Sequence, residues 1–168
     1  MIIEKEKGFW TRANEKDVQA ICCTTNNVIK SDGSLVMGAG SAKQFSDTFP
    51  LLAKNWGAVV QGMAEAGHND YSILIDGPRV WNKGDVIYLI GVQTKRHWKD
   101  PSDIDLIIES VKKLRDLADL LRIDRIICPA FGCGMGGLTW GDLEKKLSKI
   151  LDDRFIIINV SQDGIILP

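Results

Sequence analysis

The sequence predicts an α/β fold, a three-layer α/β/α sandwich built around a mixed, mostly parallel sheet. Three observations predict it. Short apolar runs recur along the chain without polar alternation, the pattern of strands covered on both faces. Amphipathic stretches of helical period lie between them. Glycine-rich segments sit where the runs give way to those stretches, as at the turn from a parallel strand into a helix.

In chain order, residues 1–4 (MIIE) are a weak strand candidate and residues 18–24 (VQAICCT) the first strong one. Helical patterns cover 41–48 and 50–66, with Pro50 suited to a helix start. Residues 71–75 are a second weak strand, and 86–92 (VIYLIGV) a strong one. The clearest helix runs from Ser102 to Leu121, with Ile104, Ile107, Ile108, Val111, Leu114, Leu117, Ala118 and Leu121 on one stripe. Ser102, following Pro101, suits its N-cap. Residues 125–130 (RIICPA) form the next strand. Thr139 and Asp142 then resemble a capping box opening a helix through Leu143, Leu147 and Leu151. Residues 155–160 are a strand and 165–167 a last weak one. No linker, repeat or low-complexity block interrupts residues 1–168, so a single domain is expected.

Composition narrows the function classes. Lys and Arg number 21 against 22 Asp and Glu, which argues against a protein that coats nucleic acid by bulk charge but leaves room for a local basic patch. Cys22, Cys23, Cys128 and Cys133 form no C-x-x-C, and only His68 and His97 are available to assist, so no metal is expected. Adjacent Cys22 and Cys23 must point to opposite faces of a strand. Buried thiols point to a reducing, cytoplasmic setting. The alternating, charged N-terminus has no signal-peptide core, and no apolar run approaches the ~18 residues of a membrane span. A monomer is the default expectation.

The sixteen glycines are the unusual figure, and their placement carries the chemistry. One loop, residues 31–40 (SDGSLVMGAG), follows the strand at 18–24. A second, residues 132–137 (GCGMGG), follows the strand at 125–130. Each lies where open α/β sheets bind ligands, with bare N–H groups at a helix start favouring phosphate. Two such loops suit a dinucleotide-like ligand with more than one anionic or ribosyl segment. Residues 132–137 satisfy G-x-G-x-x-G, but they come late and no acid closes the next strand, which excludes a Rossmann oxidoreductase. No G-K-[ST] follows either loop, which excludes a Walker A NTPase.

After the strand at 86–92 comes Gln93-Thr94-Lys95-Arg96-His97-Trp98-Lys99. Lys95 or Arg96 can meet a phosphate, His97 can act as acid or base, and Trp98 can stack on a base. A lysine crowded by Arg96 and Lys99 can also have a lowered pKa and become a nucleophile. The alternative is a solvated loop with the indole packed on the sheet edge. Asn26 and Asn27 suit ribose hydroxyls or, equally, a turn. His68, in Gly67-His68-Asn69-Asp70, reads as a turn residue.

Four segments together resemble the macrodomain family, α/β/α modules that bind ADP-ribose. They are Ile21-Cys22-Cys23-Thr24-Thr25-Asn26, Val36-Met37-Gly38-Ala39-Gly40-Ser41-Ala42, Gln93-Thr94-Lys95-Arg96-His97-Trp98, and residues 129–140 (PAFGCGMGGLTW). The likeness is greatest to antitoxin macrodomains that remove ADP-ribose from DNA and to the terminal ADP-ribose protein glycohydrolases. It implies ligand contacts from Asn26 to the distal ribose, and from Met37, Gly38, Ala39, Gly40 and Ala42 to the diphosphate and distal ribose. Thr94 joins the ligand site, and Gly132, Cys133, Gly134, Met135, Gly136 and Gly137 hold the diphosphate. Lys95 matches the lysine used at the anomeric carbon. The implied activity is a lysine-dependent ADP-ribosyl glycohydrolase acting on nucleic acid or protein. The alternatives are an ADP-ribose-1″-phosphate phosphatase and a non-catalytic ADP-ribose reader. ADP-ribose is ligand or product, and no cofactor is implied. Two positions depart from relatives. Gly136 stands where protein-acting members carry an Asp, which DNA-acting members also lack. Gly8 is followed by Phe9 and Trp10 instead of the Asp that binds adenine in many macrodomains, so adenine is expected either to stack on an aromatic ring, with Phe9, Trp10 and Trp98 as the candidates for a base, or to be bound in a different way.

Overall fold

The computed structural model describes residues 1–159 together with the short strands Ser161–Gln162 and Ile165–Ile166. Six strands form the main sheet: β1 (Ile2–Glu4), β2 (Ala20–Thr25), β3 (Ile73–Val80), β4 (Val86–Gln93), β5 (Ile126–Pro129) and β6 (Phe155–Ile158). Their order is β1-β6-β5-β2-β4-β3, parallel throughout except for β3, which pairs antiparallel with β4. The sheet is therefore mixed and mostly parallel. Helices α1 (Phe9–Ala13), α2 (Gly40–Thr48), α3 (Leu52–Glu65), α4 (Ile104–Leu121) and α5 (Trp140–Leu147) cover it. Ser161–Gln162 and Ile165–Ile166 pair as a separate antiparallel hairpin, β7 and β8. Val160 and Leu167, expected in strands, lie outside the described residues.

The strands lack polar alternation because both faces are buried, and the alternation in β2 sorts its residues between two cores. Ile21 and Cys23 pack with Phe45, Leu52 and Trp56 from α2 and α3. Ala20 and Cys22 pack with Ile107, Val111 and Leu114 of α4 and Leu143 of α5. All four cysteines are buried and unbridged. No helix among the described residues is long and apolar enough to cross a membrane.

Three expected helix boundaries shift, and one expected cap bonds differently, for local reasons. Pro50 does not start a helix. Leu52 N bonds Phe49 O (3.2 Å) across a turn in which Pro50 takes the corner and Leu51 the left-handed position (φ 72°), so α3 begins two residues later. Ser102 does not cap α4. The carboxylate of Asp103 accepts from Asp105 N (3.0 Å) and Leu106 N (3.1 Å), and Ser102 is buried against the second glycine loop instead. Thr139 occupies the N-cap of α5, but its hydroxyl donates to Asp142 (2.6 Å) and caps no backbone amide. That helix stops at Leu147, with Leu151 buried in the turn beyond. The short α1 has no sequence stripe long enough to announce it.

Candidate active site at the carboxyl edge of the sheet

Because β5, β2 and β4 run parallel and adjacent, their carboxyl ends deliver Ala130, Asn26 and Thr94 to one edge. Buried polar residues fix what leaves that edge. The Tyr71 hydroxyl lies 2.7 Å from both Asn26 O and Thr25 Oγ1, donating to the carbonyl and accepting from the threonine. Asn26 spans the base of the first glycine loop: Nδ2 donates to Val36 O (2.9 Å) and Oδ1 accepts from Val28 N (2.9 Å). One N–H and one lone pair of the amide are left for a ligand. Gln93 is wholly buried, its oxygen accepting from Tyr71 N and Ser72 N (both 3.0 Å) and its nitrogen donating to Asn27 and Asp70.

The first loop is set down on α3 by close approach. A Cβ at Gly57 would lie 2.0 Å from Gly33 O, so only glycine lets the helix and loop touch there. The loop then enters α2 through Ala39, whose helix start has no side-chain cap. Ser41 accepts from Thr24 N (3.1 Å) and ties that start to β2. Gly38 and Ala39 are exposed, whereas the side chains of Met37 and Ala42 are buried.

The second loop closes on itself. Leu138 N donates to Gly132 O (3.0 Å) and Gly137 N to Gly134 O (3.1 Å), with Gly132 and Gly137 at φ +70° and +77°. Gly136 has no room for a side chain: a Cβ there would lie 2.1 Å from Ser102 Oγ and 2.4 Å from Gly132 O. Ser102 N donates to Gly136 O (2.9 Å), locking the loop to the approach to α4. Burial pushes the Cys133 thiol up to about 11, so it stays protonated and donates to Phe131 O.

Lys95 joins the two halves of the site. Its Nζ donates to Asp100 O (2.8 Å) and lies 3.5 Å from Met135 O at the tip of the second loop. Partial burial holds the amine below the usual lysine range, against the pull of Asp100. Beside it, Arg96 pairs with Asp70 (2.7 Å) and Asp103 (2.8 Å), and its carbonyl accepts from Asn27 N (3.0 Å). The segment carrying Lys95 is thus pinned to the ends of β2 and β3 and to the cap of α4.

No protein-family model matches the chain. It is 31% identical over 141 residues to the DNA ADP-ribosyl glycohydrolase of Thermus aquaticus, spanning 82% of this chain and 35% of that protein. The solved macrodomain of Thermus aquaticus DarG superposes with TM-score 0.68 at 25% identity, covering 96% of this chain and 97% of that one. This chain belongs to the macrodomain family. A third match, Thermosipho africanus DarTG in complex with ADP-ribose, has TM-score 0.66 at 21% identity, covering 88% of this chain and 39% of that one. The chain spans about a third of the length of the curated relatives it matches.

The macrodomain brings Asn26, Met37–Ala42, Thr94, Lys95 and residues 132–137 to one edge. Phe9 departs from expectation. It is 6% exposed inside an aromatic cluster with Trp10, Phe45, Phe49 and Trp81, and offers no open face to a base. Trp10 is half-buried, its indole N–H donating to Gln44 Oε1 (2.8 Å). Sequence reading missed Glu4, which organises this corner. Its carboxylate accepts from Glu6 N (2.8 Å), Lys7 N (3.2 Å) and Arg12 Nε (2.8 Å). The supporting roles of Tyr71, Asp70 and Gln93 have no sequence signal, because they meet one another and the ends of β2 across distant stretches of chain. A broad depression of about 830 Å³ lies at the opposite, amino edge, between Met1, Asp124 and Arg154, away from these groups. Among the described residues, no three His, Cys, Asp or Glu side chains gather as metal ligands.

Proposed function

We propose that this macrodomain binds ADP-ribose along the carboxyl edge and hydrolyses the bond between its anomeric carbon and an acceptor, DNA being the acceptor favoured. The observation that carries the proposal is Lys95: a half-buried amine with a lowered pKa, set between the β4 exit and the second glycine loop. The DNA ADP-ribosyl glycohydrolase name of the relatives and the ADP-ribose complex of the Thermosipho africanus DarTG structure support it.

In this reading the diphosphate lies over residues 132–137 and the uncapped start of α2, where backbone amides meet negative charge. Asn26 and the backbone of Met37, Gly38, Ala39, Gly40 and Ala42 face the distal ribose, and Thr94, buried beside Lys95, shapes the floor. Unprotonated Lys95 forms a bond to C1″ as the bond to the acceptor breaks. The electron pair leaves with the acceptor, which takes up a proton. Water then displaces the lysine, regenerating the amine and releasing ADP-ribose. The net change is addition of one water across the scissile bond.

The test is incubation with three substrates: ADP-ribosylated DNA, ADP-ribosylated protein and ADP-ribose-1″-phosphate. Release of ADP-ribose from the DNA supports the proposal. Release only from the 1″-phosphate makes the chain a phosphatase, and binding of ADP-ribose without turnover makes it a reader; either result overturns it.

A further inference from the structure

His97, Trp98 and Lys99 leave the edge directly after Lys95 and Arg96 and take no part in the proposed hydrolysis. Trp98 is nonetheless 49% exposed, unlike the buried Trp56 and Trp140. It is also held in place. The His97 ring stacks on it (centroids 5.6 Å apart, 24° between planes), and the Lys99 ammonium sits 5.1 Å from the ring centre. His97 Nδ1 accepts from Lys99 N (3.2 Å), and Asp100 N donates to His97 O (3.1 Å). Lys95 Nζ donates to Asp100 O, so the turn presenting the indole is fastened to the amine at the reaction centre. Across that amine stands Met135, 80% exposed, its carbonyl near the same Nζ.

A rigid, cation-flanked aromatic surface beside a reaction centre suits a flat, polarisable group more than a peptide. Charge alone does not explain it. The Arg96 guanidinium is committed to Asp70 and Asp103, and among the described residues only Lys95 and Lys99 of this segment have no carboxylate partner. With Lys95 acting as the neutral amine, Lys99 alone neutralises about one phosphate, which gives a salt slope of only about −0.7 for a single strand. Stacking must then carry most of the contact.

We propose that Trp98, braced by His97 and with the Lys99 ammonium over its ring, is a stacking platform for a nucleobase of a single-stranded acceptor, next to the nucleotide that bears ADP-ribose. This rests on the glycohydrolase reading and deepens it by assigning the acceptor side of the site. A base reaches an indole face only when splayed from its partner strand, which is why the acceptor is single-stranded.

The experiment compares wild type, Trp98→Ala and Trp98→Phe in three measurements. These are fluorescence anisotropy with an unmodified single-stranded DNA oligonucleotide, calorimetry with ADP-ribose, and turnover of ADP-ribosylated single-stranded DNA and an ADP-ribosylated peptide. Trp98→Ala weakens oligonucleotide binding about tenfold and lowers kcat/KM on the DNA by a similar factor, the loss of about one base stack. Trp98→Phe recovers most of both. ADP-ribose affinity and any peptide turnover stay at wild-type values in both variants. The proposal is overturned if wild type does not bind the oligonucleotide, if Trp98→Ala binds it equally well, or if ADP-ribose affinity falls in parallel. If wild type releases ADP-ribose from no substrate while oligonucleotide binding still depends on Trp98, the glycohydrolase reading fails and the platform stands.

Discussion

Replacing Gly136 with alanine tests whether the second glycine loop is shaped by close packing. The new Cβ would lie 2.1 Å from Ser102 Oγ, 2.4 Å from Gly132 O and 2.9 Å from Gly132 C. Carbon contacts prefer about 3.5–4 Å, so something must move by an ångström or more. The hydroxyl of Ser102 can rotate, but the Gly132 carbonyl is backbone, held at φ +70° and bonded to Leu138 N. Moving the strand of loop at 136 away breaks the bond from Ser102 N, worth about 1 kcal/mol. Overpacking adds about 1–3 kcal/mol, for a total of about 2–4 kcal/mol. In a domain of this size each kcal/mol lowers Tm by about 2–4 °C, so thermal unfolding should shift down by about 4–16 °C. ADP-ribose affinity, measured by calorimetry on the folded variant, should fall with the distorted loop. Gly134 is the control. A Cβ there meets nothing within 4 Å and its φ is ordinary, so Gly134→Ala should stay within about 2 °C of wild type. A Gly136→Ala protein as stable as wild type, or a Gly134→Ala protein equally damaged, would refute the reasoning. The same crowding explains why an Asp has no place at this position in this chain.

Three other substitutions probe the supports of the site. Arg96→Ala removes two exposed ion pairs, each worth under about 1 kcal/mol, so Tm should change little while turnover falls about tenfold or more with ADP-ribose affinity kept. Kinetics and calorimetry on one preparation check both halves. Tyr71→Phe deprives the buried Asn26 carbonyl of its donor and should cost about 1–3 kcal/mol in denaturant unfolding. Glu4 is held below the usual glutamate pKa, chiefly by the Glu6 amide and also by the Lys7 amide and Arg12, against its burial. Its stabilisation is therefore present above the ordinary value of 4.5 and lost as pH falls through the lowered folded value. Glu4→Gln should flatten that part of the acid-range stability curve, as followed by circular dichroism.

The layers were legible because they rest on local pattern. Strands buried on both faces read as unbroken apolar runs, and the stripe on α4 has eighteen residues over which to repeat. The two glycine loops were legible because glycine marks backbone that must turn or touch. What stayed hidden depends on contacts between distant residues. Nothing adjacent to Gln93 announces that it will serve Tyr71, Ser72, Asn27 and Asp70 at once. Ser102 after Pro101 suits a cap by local pattern, yet Asp103 wins the backbone amides and the serine turns to Gly136. Nothing local to Phe9 shows that it is covered, because its burial depends on Phe45 of α2.

The central claim is that Lys95 reacts as an unprotonated amine. The most direct measurement is single-turnover release of ADP-ribose from ADP-ribosylated single-stranded DNA, followed between about pH 6 and 10. Wild type, Lys95→Ala and Lys95→Arg are compared. The wild-type rate should climb with pH and level off below the usual lysine range, because burial lowers this pKa. Both variants should lose about 10²–10⁴-fold while still binding ADP-ribose, the arginine because its guanidinium never gives up its proton. A Lys95→Ala protein that turns over at the wild-type rate, or a Lys95→Arg protein that keeps it, would contradict the account.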